Sequence, residues 1–243
     1  MKKNNLKRVM TALIILLCMS TAVMIYLSNI QSTTFNQALY ESKYDEYGIY
    51  SRFPEGTDLS TPTTDLIGYM ESGSGILQSD FFNEKEKAHM IEVRALFMTL
   101  QHILNIAIIT SMVSLFLILY LLRHLHIKLS EKGMDQLLKG VFTRFLIWTG
   151  WIVDSIAIIM GMVALTFNTS FVRFHEIFFR TDTWMLNPAT DNMINMFPQE
   201  FFLYMFTRIV MMSILFATVM LVAGYLIRLG VPESIKERIN EFR

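Results

Sequence analysis

The sequence predicts an all-α polytopic membrane protein: four transmembrane helices and a small extracellular cap with room for short strands. Composition is the first observation behind this. Of 243 residues, 53% are hydrophobic and 17% charged, against about 25% charged in a soluble domain. The second is blocking. Four apolar runs reach the length of a bilayer core, about 20 residues: 1–28 at its apolar part, 84–122 at its later part, 141–167 and 201–227. The third is the placement of charge. Lys2, Lys3, Lys7 and Arg8 precede the first run, Arg123, Lys128, Lys132 and Lys139 follow the second, and Arg228, Lys236, Arg238 and Arg243 follow the fourth. The stretches 29–97 and 168–200 are acid-rich instead. The Lys/Arg bias places both termini and the middle loop in the cytoplasm and the acid-rich stretches outside a cell membrane. A net charge of zero speaks against nucleic acid as a partner.

Residues 1–28 have a basic start, an apolar run and small residues near Ala22, as a signal peptide does. The run continues past normal signal length, so it is expected to stay as the first helix, with cleavage after Ala22 as the alternative. Cys18 lies inside it, and one cysteine builds neither a disulfide framework nor a thiolate metal site. Residues 29–83 form the cap. An amphipathic helix is expected over 35–47, a turn at Pro54–Asp58, a short helix after Thr61-Pro62, a second turn at 73–75 and a short strand over 76–82. About 55 residues make little core alone, so the cap must lean on the membrane part.

Asn83 and Glu86 have the spacing of a reciprocal N-terminal cap. From there 84–122 reads as one long helix, amphipathic first and spanning afterwards. A basic cytoplasmic loop follows at 123–140, with His124 and His126 solvated or near lipid phosphates. The third span, 141–167, carries Asp154. An intramembrane carboxylate is a functional candidate, and Arg208 on the fourth span is its expected counter-ion. Residues 168–200 are the most informative stretch. Asn168-Thr169-Ser170 can cap a new helix, on which Phe171, Phe174 and Phe178 share a face, with Val172, His175 and Phe179 beside it. Such a helix suits the membrane interface, and Trp184 the aromatic belt. Pro188 and Pro198 each read as the first residue of a helix. The tail 228–243 is cytoplasmic.

Two histidines, His89 and His175, are the chemical candidates, since imidazole is the natural acid/base near neutral pH. Glu92 is one turn from His89. Arg94, Asp182 and Trp184 are supporting candidates, and Arg173, Glu176 and Arg180 lie near His175. No G-x-S-x-G nucleophile signature is present. His89 and Glu92 with His175 are the one conceivable zinc set, but H-E-x-x-H is missing; neither metal nor cofactor is expected. Histidines of this kind also serve as plain interfacial caps, and the residues alone leave both readings open.

The segments HMIEVR (89–94), FHEIFF (174–179), DTWMLNP (182–188) and FPQEFF (197–202) together resemble the family of integral membrane lipoprotein intramolecular transacylases, Lit, over nearly the whole chain. The resemblance implies a substrate, a diacylated bacterial lipoprotein in the membrane of a Gram-positive cell. It also implies a reaction, transfer of the sn-2 acyl chain from glycerol oxygen to the free α-amine of the N-terminal cysteine, giving the lyso-form. It makes His89 and His175 the catalytic residues, at the outer face. His89 would take the amine proton and His175 would polarise the carbonyl or protonate the departing oxygen, or the two roles would be exchanged. Donor and acceptor lie on one molecule, so positioning supplies much of the rate. The acyl chains would run between the spanning helices behind the aromatic stripe, and the protein would act as a monomer. The alternative from another class is a non-enzymatic transport or assembly subunit organised around an Asp154–Arg208 pair.

Overall fold

The structure, a computed structural model, describes residues 3–73, 75–126 and 131–230. Its α-helices are α1 (Lys3–Thr34), α2 (Gln37–Glu46), α3 (Ser60–Ser72), α4 (Glu84–His126), α5 (Glu131–Leu165), α6 (Phe167–Phe178), α7 (Asn192–Met196) and α8 (Gln199–Leu229), with 3-10 turns at Ile49–Arg52 and Asp182–Trp184. Helices over Asn5–Thr34, Glu84–His124, Gly133–Leu165 and Gln199–Leu229 are long and apolar enough to cross a membrane. The chain is a multi-pass membrane protein.

The helices overrun the apolar blocks. α4 has 43 residues, about 64 Å at ~1.5 Å per residue, roughly twice a ~30 Å hydrocarbon core. Its first three turns carry Glu84, Lys85, Glu86, Lys87, Glu92 and Arg94, too many charges for a hydrocarbon core, so the span falls in its later, apolar part. α5 begins at Glu131, inside the stretch expected to be a basic loop. Nothing there breaks a helix except Gly133 and Gly140, and Asp135 pairs with Lys139 one turn on, 2.7 Å apart. The expected charges Lys2, Lys128, Lys236, Arg238 and Arg243 lie outside the described residues.

The chain forms two compact units. One comprises Met1–Tyr26, Leu104–Ile158 and Met212–Arg243. Its core joins Met10, Ile14, Leu17 and Cys18 of α1 to Ile118 and Leu122 of α4 and Met134 of α5. Small residues let its helices close up. A Cβ on Gly150 would sit 2.6 Å from Leu221 Cγ, and one on Gly224 would sit 2.7 Å from Ile147 Cγ1. Dispersion between close backbones is what holds helices together in lipid. Ser20 and Ser111 share a 2.7 Å hydrogen bond, and the Tyr26 hydroxyl donates to the Val153 carbonyl at 2.9 Å. Ile106, Met112, Phe116 and Ile158 stay exposed, as lipid-facing side chains do.

The other unit, Leu27–Ile103 and Ile159–Met211, contains the cap. The cap borrows its core, as its size requires. Tyr40, Tyr44, Ile49, Leu59, Leu66 and Phe82 pack with Met193, Met196, Phe197 and Phe201. The Tyr40 and Phe201 rings are 5.1 Å apart, and the Tyr44 hydroxyl meets Thr63 Oγ1 at 2.7 Å. Asn36 caps α2 by accepting from the Leu39 amide. Asp58 does the same for Ser60 and Thr61 at the start of α3. Gly73 ends α3 at φ +64°, a conformation that disfavours a Cβ.

The strand expected over 76–82 is not there, and the described residues contain none. The segment does alternate over 76–80, where Ile76 is exposed while Leu77 and Ser79 are buried, and the pattern breaks at the buried Phe82. Its apolar side chains are absorbed by the cap core, but no second extended segment offers a ladder. The Gly75 carbonyl is taken by Arg94 Nη1 at 2.9 Å.

Candidate functional site

The site is assembled from the start of α4 and the segment 167–201, all within the cap-containing unit. α4 begins with the expected reciprocal cap: the Asn83 amide donates to Glu86 Oε2 at 2.7 Å, and the Glu86 amide donates to Asn83 Oδ1 at 3.0 Å. The same two side chains reach across to the later segment. Glu86 Oε1 accepts from the Met193 amide at 2.5 Å, and Asn83 Nδ2 donates to Asp191 Oδ1 at 2.9 Å. Asp191 Oδ2 in turn accepts from the Asn187 amide at 2.7 Å. This network fixes His89, one turn further along α4, against the segment that carries His175.

α6 starts two residues earlier than Asn168-Thr169-Ser170 would place it, after a break at Thr166. Its aromatic face forms as expected, and His175 lies in its last turn. The His175 Nδ1–H donates to the Phe171 carbonyl, one turn back, at 2.7 Å. A carbonyl can only accept, so Nδ1 carries the proton and Nε2 carries the lone pair. The rings of Phe171, Trp184 and Phe179 stand 4.3, 5.1 and 5.1 Å from it, centroid to centroid. The 187–191 segment makes a turn, with the Thr190 and Asp191 amides donating to the Asn187 carbonyl. The helix expected to open at Pro188 opens instead at Asn192. Pro has no N–H to lose at a turn either, and Asn187 Oδ1 accepts from the Ala189 amide at 3.0 Å, which favours turning over winding.

His89 and His175 come together. Their ring centroids are 6.1 Å apart, and Phe179 lies 4.8 Å from His89 as well. Both histidines are nearly buried, 7% and 9% exposed, and both line a cavity of about 520 Å³, within the size range of small-molecule sites. The rest of its wall is almost wholly apolar, drawn from α4, α6 and α8 above all. His89 Nδ1 is buried without a hydrogen-bond partner among the described residues. Burial, helped by the neighbouring His175 and against Glu92, pushes the His89 pKa down from 6.5 to about 4. Burial also lowers that of His175, but the Phe171 carbonyl works against it by stabilising the imidazolium.

This gives an acid limb to stability. His89 is harder to protonate in the folded chain than in the unfolded one, so between about pH 6.5 and 4 the unfolded state binds more protons. Stability is therefore full above about pH 6.5 and falls as the pH drops toward 4. Thermal unfolding in detergent micelles across this range should show the decline. A His89→Leu variant should show a shallower one; an unchanged slope would mean that other groups cause it.

Glu92 does not bond to His89. It clasps the later segment, accepting from Thr181 Oγ1 at 2.7 Å, the Arg180 amide at 3.1 Å and Thr183 Oγ1 at 3.3 Å. Burial opposes its ionisation, but these donors prevail and hold the carboxyl below its usual range. Trp184 is more than an interfacial anchor, since it packs on His175. Arg94 is elsewhere: it reaches Gly75 and lies over the Tyr69 ring, 4.1 Å from its centroid, so it braces the cap. Asp182 is exposed at the start of its 3-10 turn. Arg173 pairs with Glu176 at 2.6 Å on the surface. Asp154 belongs to one unit and Arg208 to the other; the Nε of Arg208 is buried with no hydrogen-bond partner among the described residues. No group of three or more His, Cys, Asp or Glu side chains is placed to hold a metal ion among the described residues. Phe171 and Phe179, which the sequence places on the helix of His175, pack directly on its ring; Thr181 and Thr183 are site residues that no sequence pattern marks.

Residues 14–202 match the family described as lipoprotein intramolecular transacylase Lit. No curated protein gives a match. Among solved structures the chain is similar to the membrane integral lipoprotein intramolecular transacylase Lit from Bacillus cereus. The TM-score is 0.72 at 18% identity, over 96% of this chain and 99% of that one. Two variants of the Bacillus cereus protein, with a histidine changed to arginine or to alanine, give TM-scores of 0.68 each at 18% identity. They cover 96% of this chain and 96% and 97% of theirs. At that identity the structures establish the shared fold; the family match, which spans most of the sequence, establishes kinship. The chain belongs to the lipoprotein intramolecular transacylase Lit family.

Proposed function

We propose that the protein moves the sn-2 acyl chain of a diacylglyceryl lipoprotein to the α-amine of that lipoprotein's own N-terminal cysteine, at the outer face of the cell membrane. One observation carries the reading: two imidazoles 6.1 Å apart at a cavity that is otherwise apolar. An acyl chain fits the cavity chemically, and its ester carbonyl would lie between the rings.

The amine is the nucleophile and must be neutral; an α-amine has a pKa of about 8. Its nitrogen attacks the ester carbonyl carbon, and its proton passes to His175 Nε2. The hydrogen bond at Nδ1 supports His175 as the acceptor, because it both exposes Nε2 and stabilises the imidazolium. His89, pushed down to about 4, is a poor base and stays neutral. Its ring N–H is suited to the oxyanion of the tetrahedral intermediate, which a neutral donor stabilises without a proton transfer. Of the two assignments that the sequence leaves open, this is the one in which His175 takes the proton. Collapse breaks the bond to glycerol oxygen, and His175 returns the proton to that oxygen. The product carries an amide at the cysteine nitrogen and one acyl chain on glycerol. Glu92, through Thr181 and Thr183, and Trp184, through its ring contact, position the segment bearing His175.

The test is expression in a strain that makes only diacylated lipoproteins, followed by mass spectrometry of their N-termini. Lyso-form product is the expected result. Its absence, with the protein folded in the membrane, overturns the reading.

A further inference from the structure

The cavity has a floor. From His89 to Leu100, both of which line it, α4 rises about 16 Å. Each of the other long helices lines it over a limited stretch. On α8 the lining runs from Phe201 inward to Ile209, on α5 it starts at Met160, and on α1 it starts at Ile30. α4 and α8 enter this unit at their first turns, whereas α1 and α5 reach it with their last ones. Ile30, Leu100, Met160 and Ile209 therefore form the layer furthest from the histidines. Beside Ile30 and Leu100, the Gln31 side chain donates to that of Gln101, which pins α1 to α4 at this level. A polar link between helices there resists the spreading that a longer ligand would need.

We infer that this layer measures the transferred acyl chain, so that Leu100, Met160 and Ile209 set chain-length specificity. The inference rests on the transacylase reading. The chain enters methyl end first, with its ester at His89 and His175. Each methylene gains by burial until the tip meets the floor. A longer chain must leave methylenes outside, buckle, or lift the ester from the histidines. At about 0.8 kcal/mol per buried methylene, each one left outside costs roughly fourfold in binding.

The experiment uses the full chain in membranes, with lipoproteins carrying a mixture of myristoyl, palmitoyl and stearoyl chains. The readout is the chain-length distribution of the N-acyl product. Leu100→Phe and Ile209→Phe raise the floor and should favour shorter chains, by about fourfold for each methylene excluded. Met160→Ala lowers it and should favour longer ones; it also serves if a larger residue prevents folding. Product from all variants with the wild-type distribution overturns the measuring role and leaves the transacylase reading intact. Absence of lyso-form from the wild type overturns the transacylase reading, and this inference with it.

Discussion

Replacing His175 with alanine is expected to lower the rate of lyso-form production by about a hundred- to ten-thousandfold, the usual share of a general acid/base group. The loss should fall on turnover. In the proposed mechanism His175 would meet the substrate through its ring, while the apolar cavity wall would supply the binding. His175→Asn separates two contributions. An asparagine NH2 can still donate to the Phe171 carbonyl, so local geometry is retained while the titratable group is lost. If Asn keeps activity within about tenfold of wild type, a loss smaller than acid/base catalysis supplies, the histidine orients rather than carries the proton. His89→Ala should also be severe, by roughly a hundred- to thousandfold, the cost of one oxyanion donor. The two losses should not multiply in the double variant, because both groups serve one transition state.

The sequence carries part of this arrangement and hides the rest, for identifiable reasons. The spans are legible because lipid imposes long unbroken apolar runs. The cap on α4 is legible because Asn83 and Glu86 interact locally, at fixed spacing. His175 is legible on its helix because the Phe171, Phe174 and Phe178 face has a period. Its bond to Phe171 also had a signal, the four-residue spacing from an imidazole to a carbonyl one turn back near a helix end. Glu92 shows the limit. Its partners Thr181 and Thr183 are 89 and 91 positions away, and isolated loop threonines have no pattern to read. Arg94 is close to His89 in sequence, yet five residues on a helix turn it toward the cap, where Tyr69 and Gly75 hold it. The expected strand at 76–82 failed for the opposite reason. Alternation reports that one side of a segment is buried, and says nothing about whether another strand exists to pair with it.

Replacing Glu86 with alanine is expected to destabilise the protein by about 2–4 kcal/mol, of which the buried bond to the Met193 amide supplies about 1.5–3 and the more exposed bond to the Asn83 amide the rest. Glu86 is fully buried, and burial raises its pKa despite the amides that face it. Its two oxygens accept from two different amides, Asn83 at the start of α4 and Met193 on α7. Truncation leaves the Met193 amide buried without this acceptor, and leaves the Asn83–Asp191 bond among the remaining polar ties between those segments. The informative variant is Glu86→Gln. It has almost the same shape, but one oxygen becomes an NH2 that faces an amide N–H, so only one of the two bonds survives. Gln should therefore lose roughly half as much as Ala in thermal or denaturant unfolding. Equal stability of Gln and wild type would refute the two-acceptor arrangement. Activity gives a second readout, because α7 leads directly into Phe197 and Phe201, which line the cavity. A loosened α7 should lower activity even at temperatures where the variant stays folded. Activity that instead follows only the folded fraction would make Glu86 a stabilising residue with no part in shaping the site.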